Sequence, residues 1–200
     1  MNASRLPAAA SARAPRADAR RSITAILDAG AECLAADPEA TVAVIARAAG
    51  VARATLYGHF PARVDLVDAV FERVTTQADE TLQTVDVSGD PEQALRELVA
   101  SSWRIVHRFR AVLAVAEREL PPGRVRKHHA RHLDRLTELL TRGQETGAFR
   151  TDLAVEWLVT ACFTLMHAAA AEVVAGRLDD DHAETAVVES ILSVCTPSAR

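Results

Sequence analysis

The chain has 200 residues, 49% of them hydrophobic and 25% charged, with a formal net charge of −4. That is enough apolar material for a packed core, and it excludes a disordered chain. Aromatic residues are only 4%, so the core must come mainly from Ala, Val and Leu; with no alternating apolar runs between turn signals, an all-α fold is expected.

Residues 1–17, MNASRLPAAASARAPRA, are small, proline-containing and aperiodic, and read as a flexible basic tail. In the first 21 residues Arg5, Arg13, Arg16, Arg20 and Arg21 stand against Asp18 alone. Residues 1–75 hold 9 basic and 8 acidic side chains, and residues 76–200 hold 14 and 19. Positive potential therefore gathers at the N-terminal end of an acidic chain. The tail is either an arm that reaches a nucleic-acid groove or a solvated terminus, and the solvated terminus is the simpler reading.

A first helix is expected from about Asp18 to Ala36, burying Ile23, Ile26, Leu27 and Leu34 and stopping before Pro38. Thr41 then precedes an apolar-periodic run, as an N-cap does. Val42, Ile45, Ala46 and Ala49 recur at three- and four-residue spacing and make one helical face. Gly50 stands where that helix must stop, and glycine can take the left-handed conformation that ends it. A second short helix is expected from about Ala52 to Tyr57, with Val51 and Leu56 inward and Arg53, Ala54, Thr55 and Tyr57 outward. Ala46 is small where the two helices cross. A helix, a tight turn and a short helix with basic, hydroxyl and small side chains outward form a unit that enters the major groove of DNA. An ordinary helical hairpin inside an all-α domain is the alternative.

The segment continues as TLYGHFPARVDLVDAV. With that continuation it resembles the TetR (tetracycline repressor) family of bacterial transcription regulators. The likeness is carried by Thr41, Ile45, Ala46, Ala49, Gly50, Val51, Thr55, Leu56, Tyr57, His59, Phe60 and Leu66. It covers roughly residues 18–75, with RRSITAILDAGAECLAADP as the first helix; the rest of the chain shares only length and helical character. The resemblance implies a three-helix DNA-binding domain with a helix-turn-helix over residues 18–75. A larger helical ligand-binding and dimerisation domain over residues 76–200 would follow, with about nine helices in all.

Two positions depart from the family pattern. Ala52 stands where a serine usually opens the second helix; alanine cannot accept a capping hydrogen bond, a loss of about 1 kcal/mol. Arg63 replaces a frequent lysine, keeping the charge and adding a fork suited to phosphate. On the implied roles, Arg53 and Ala54 face bases, since arginine can pair with guanine and the alanine methyl can touch thymine. Thr41, Thr55, Tyr57, His59 and Arg63 hold phosphates and set register.

Beyond the motif, a helix from about Pro61 or Ala62 to Val85 carries Val64, Val67, Phe71 and Val74 on one face. Asp86 to Pro91 is a break, and Pro91 suits a first helical turn. Further helices are expected from there to about His107, from Arg110 to Glu119, and from the Pro121-Pro122-Gly123 break to about Glu145. The last two run from Leu153 to Ala175 and from Asp179–Asp181 to Pro197, with Gly147 and Gly176 as stops.

These last two helices are the dimerisation candidates, through Trp157, Ala161, Leu165 and Ala168 on one and Val188 and Ile191 on the other. The resemblance implies a homodimer, hence a roughly palindromic operator. It also implies a cavity for an unidentified small-molecule effector. Trp103, His107, Phe109, Leu136, Phe163 and His167 are its candidate lining, as the bulky or polar members of aliphatic helices.

His128 and His132 have a spacing that can grip one ion, but Lys127 and Arg131 repel a cation and no ligand-type cysteine or carboxylate adjoins. No metal and no cofactor are expected. Cys33, Cys162 and Cys195 read as small buried hydrophobes in a reducing cytoplasm. No apolar run follows the N-terminal arginines, and Trp157–Ala175 is interrupted by His167 and Glu172, so neither export nor a membrane partner is expected. The chain has no Gly-rich phosphate loop, nucleophile elbow or metalloprotease histidine pair, so it is not expected to be an enzyme. The expectation is a cytoplasmic, ligand-responsive repressor on double-stranded operator DNA. The alternative, left open by Ala52, is a sensor or interaction protein of the same fold with weakened or lost specific DNA binding.

Overall fold

The computed structural model describes residues 13–197, with side chains from Asp18 onward. These residues form nine helices and no strand. In order they are α1 (Arg13–Ala36), α2 (Val42–Ala48), α3 (Arg53–His59), α4 (Arg63–Leu82), α5 (Pro91–Glu119), α6 (Arg124–His128), α7 (Ala130–Glu145), α8 (Val155–Val174) and α9 (Asp180–Cys195). Helix α1 begins inside the stretch expected as tail. Its first residues are Ala- and Arg-rich, and Pro15 falls in the first turn, where its missing N–H costs no helical bond. The remainder of that expected tail, residues 1–12, lies outside the described residues.

The helix count meets expectation through two differences that cancel. The break expected near residues 108–109 is a kink at Phe109 (φ −108°, ψ 17°) within α5. No glycine or proline stands there, so helical bonding resumes after one residue. Conversely, the single helix expected before Glu145 is split at His129 (φ −90°, ψ 4°). There the ring Nδ1 donates to the Val125 carbonyl at 2.8 Å, while the backbone N–H turns to Arg126 O at 3.1 Å. A side chain competing for a helical carbonyl breaks the ladder without any punctuating residue.

One apolar core runs the length of the described chain. At its N-terminal end Ile26, Leu34, Ile45, Leu56 and Leu66 are fully buried where α1–α3 meet the start of α4. Gly30 lets α1 approach α4 closely, since a Cβ there would lie 2.6 Å from Val70 Cγ2. Helix α4 also packs on α5, α6 and α7, so it links the N-terminal helices to the others. The α4–α5 connection is held from α7: Arg135 donates to the carbonyls of Leu82 and Val85, and Arg142 to those of Val87 and Ser88. Guanidinium forks thereby serve carbonyls at the end of α4 and along the connection.

Helix α8 packs against α5, α7 and α9. By length and composition it is apolar enough to cross a bilayer, contrary to the expectation that His167 and Glu172 interrupt it too much. In the fold, His167 is buried against Glu117 at 2.8 Å, while Trp157 and Val174 remain 59% and 56% exposed. Cys162 of α8 and Cys195 of α9 are buried as unbridged thiols with sulfurs 3.6 Å apart, and Cys33 is half-buried.

Candidate nucleic-acid interface and effector cavity

The helix-turn-helix forms as its residues dictate. Thr41 is extended (φ −80°, ψ 158°), and its Oγ1 accepts from Val44 N at 3.4 Å to cap α2. Gly50 turns left-handed (φ 67°), and Val51 N returns to Ala46 O at 3.0 Å. Ala52 occupies the N-cap of α3 with no side-chain cap bond. Leu56 anchors α3 against the core, and Ala46, 1% exposed, permits the close crossing.

Arg53, Ala54, Thr55 and Tyr57 all point to solvent, Tyr57 at 42% exposure. Thr41 is exposed as well, and His59 is half-buried beside Phe60. Arg53 makes no hydrogen bond or ion pair among the described residues, so its guanidinium is uncommitted. Arg47, in the last turn of α2, is equally exposed and was not singled out from the sequence; its charge was the available signal.

Arg63 is different. It was expected to hold a phosphate, but its guanidinium is turned inward. Nε lies 3.0 Å from Glu119 Oε2, and the remaining nitrogens donate to Ala40 O at 2.6 Å and Pro38 O at 3.4 Å. The fork is filled by acceptors of its own chain, which removes it from the candidate contacts. Nearby, Asp65 accepts from Ala62 N at 3.0 Å and closes the start of α4.

Two further polar links tie this end of the molecule to the other helices. Arg118 meets Glu39 at 2.8 Å. Asp68 of α4 accepts from Arg124 Nε at 2.8 Å and His128 Nε2 at 2.7 Å, both on α6. The Arg124 bond, chiefly, holds the Asp68 carboxyl down at about 2.

Two small adjoining cavities, of about 60 and 50 Å³, lie among the helices, the first beside α4 and the second between α5, α7, α8 and α9. Phe109 lines the first; Leu136, Phe163 and His167 line the second. Trp103 and His107 line neither. Trp103 is buried in the core, and His107 Nδ1 lies 3.2 Å from Asp180 at the start of α9. The kink at Phe109 and the α5 register decide these directions, and helical spacing alone did not reveal them. The walls also include Phe71, Asp79, Ser102, His129 and His132, which were not among the candidates. Burial, chiefly, pushes the His129 and His132 rings down to about 4.

On α8, Trp157 and Ala168 are exposed and Ala161 and Leu165 half-buried, leaving an open apolar face. On α9 the expectation fails, because Val188 and Ile191 are 5% and 0% exposed within the protomer core. The apolar residues of α9 face α5 and α8. Among the described residues no cluster of potential metal ligands exists.

Comparison with known proteins agrees with this geometry. Residues 26–70 match the family of bacterial regulatory proteins of the tetR type. The chain is 28% identical over 134 residues to the HTH-type transcriptional regulator NfxB of Pseudomonas aeruginosa, covering 65% of this chain and 71% of that one. It is 39% identical over 82 residues to the HTH-type transcriptional repressor LfrR of Mycolicibacterium smegmatis, covering 40% of this chain and 43% of that one. The crystal structure of LfrR in complex with proflavine superposes with a TM-score of 0.65 at 25% identity, over 88% of this chain and 96% of that one.

Residues 26–70 thus match the TetR-family DNA-binding region, and the chain is similar to TetR-family transcriptional regulators. The helix-turn-helix on α2 and α3 lies inside that match. The family match ends within α4, so it covers the motif and only the start of the helix that leads away from it.

Proposed function

We propose that this chain is a TetR-family regulator, a cytoplasmic, non-enzymatic homodimeric repressor. It covers a roughly palindromic operator and leaves it when a small molecule occupies the space beside α4. In this reading residues 18–75 form the DNA-binding domain and residues 76–200 the effector and dimerisation domain. Arg53 and Ala54 read bases, and Thr41, Thr55, Tyr57 and His59 hold phosphates.

The observation that carries DNA reading is the outward row on α3 above a buried Leu56 anchor, with Arg53 uncommitted. Dimerisation is supported by the uncovered apolar face of α8 at Trp157, Ala161, Leu165 and Ala168. Effector control is supported by the place of α4. Phe71 and Val74 of this helix line the first cavity, and its Asp68 is bound to α6. A ligand that displaces these walls acts on the helix that follows the motif, and it shifts the equilibrium only by its preference for one arrangement. LfrR, a similar protein, was crystallised with proflavine, which supports a small-molecule effector here.

A promoter–reporter fusion carrying the DNA upstream of the gene tests the sign of regulation. Reporter output should rise when the chain is absent and fall when it is supplied; the opposite response identifies an activator. Ala52 lacks a cap bond, which favours a second reading, a sensor of the same fold without specific DNA binding. Unchanged reporter output, together with equal binding to any duplex, would favour it.

A further inference from the structure

The polar atoms around the two cavities share one property: their hydrogens are already spent. Thr75 Oγ1 donates to Phe71 O at 3.0 Å, and Ser102 Oγ donates to Leu98 O at 2.7 Å. With its only hydrogen used, Ser102 can meet His132 Nε2, 3.2 Å away, only as an acceptor. His132 therefore carries its hydrogen on Nε2, and Nδ1 keeps a lone pair. That Nδ1 is buried and has no hydrogen-bond partner among the described residues.

His129 is fixed in the other tautomer. Its Nδ1 donates to Val125 O at 2.8 Å, so Nε2 is the acceptor. The depressed values near 4 keep both rings neutral at pH 7, so these nitrogens remain acceptors. His128 and His167 each commit one nitrogen to a carboxylate, Asp68 and Glu117. Asp79 adds a carboxylate with no hydrogen-bond partner among the described residues, the Cys162 thiol is paired with Cys195 at 3.6 Å, and the other walls are aliphatic, aromatic or the Met166 thioether.

Ser102, His129 and His132 line both cavities, so the acceptor wall stands between them. An anion or a carbonyl-rich molecule placed there meets lone pairs and no free donor. A molecule carrying N–H or O–H groups supplies what the wall lacks. It also offers a partner to His132 Nδ1, a buried acceptor with none among the described residues.

We propose that the effector is an apolar, ring-containing molecule bearing N–H or O–H donors and no anionic group, held by the lone pairs of His129 and His132. This rests on the reading of the cavities as the effector site and goes beyond it by assigning the ligand's chemistry.

Indole and 1-benzofuran test it, because they share a shape and differ in one atom, an N–H donor against a ring oxygen. Isothermal titration of the full chain without DNA should find indole bound about tenfold more tightly, the worth of one hydrogen bond to a buried acceptor. His132→Phe should level the two. Should that variant not fold, Ser102→Ala, which removes the acceptor fixing the ring's tautomer, should narrow the gap. Equal affinities, or benzofuran the tighter, overturn the donor assignment and leave the effector reading standing. Binding of neither overturns the effector reading itself, and the assignment with it.

Discussion

Arg63 and Glu119 join the first residue of α4 to the last residue of α5, Nε to Oε2 at 3.0 Å, with side chains 30% and 19% exposed. The same guanidinium serves the carbonyls of Ala40 and Pro38, just ahead of α2. Arg63→Ala should therefore behave as a stability mutation. Chemical denaturation should show a loss of about 1–2 kcal/mol, the partly exposed setting discounting the full cost of a broken buried pair. The salt dependence of DNA binding should stay as in the parent. A slope reduced by about one would return Arg63 to the phosphate contacts.

Arg53 and Tyr57 are exposed on α3, and their substitutions should differ in kind. Arg53→Ala should cost about 1–3 kcal/mol on the preferred duplex and relax preference at one base position. Tyr57→Phe removes only the hydroxyl and should weaken binding alike on all sequences. Competition binding against single-base variants of the site separates the two patterns.

Ala52 already has the backbone that an N-cap requires (φ −67°, ψ 145°) and lacks only the acceptor. Ala52→Ser should stabilise the protein by about 1 kcal/mol, seen as a higher melting temperature.

Gly143 and Phe149 are pressed together at the end of α7. A Cβ at Gly143 would sit 1.9 Å from the Phe149 ring, which is 1% exposed and has nowhere to go. Gly143→Ala should destabilise by about 1–3 kcal/mol through overpacking, measured by denaturant unfolding. Gly58, with open space where its Cβ would stand, should tolerate alanine far better.

The motif was legible because its signals are local. Thr41 caps within three residues, Gly50 supplies a conformation few others can, and the apolar period of α2 fixes its buried face. What escaped depends on residues far apart in sequence. The acceptors of Arg63 include Glu119, 56 positions away, so charge alone pointed outward to phosphate. The break at His129 comes from a ring bonding a carbonyl, and no glycine or proline announces it. Val188 and Ile191 sit at helical spacing that suits a dimer seam as well as a core, and only the packing of α9 on α5 and α8 decides for the core.

The histidines beside the cavities carry a pH signature. Their folded values, about 4, lie below the usual 6.5, so the unfolded chain takes up protons first as pH falls. Their contribution is complete above pH 6.5 and is lost progressively between there and pH 4. Denaturation midpoints should fall through this window, and His129→Phe or His132→Phe should flatten the fall.

Fluorescence anisotropy of the purified protein on DNA from upstream of its own gene, against a scrambled duplex over a salt series, tests the central claim most directly. The account predicts tight binding to the native duplex, much weaker binding to the scrambled one, and affinity that drops steeply with salt. Equal, weak binding to both would contradict sequence-specific reading by α3.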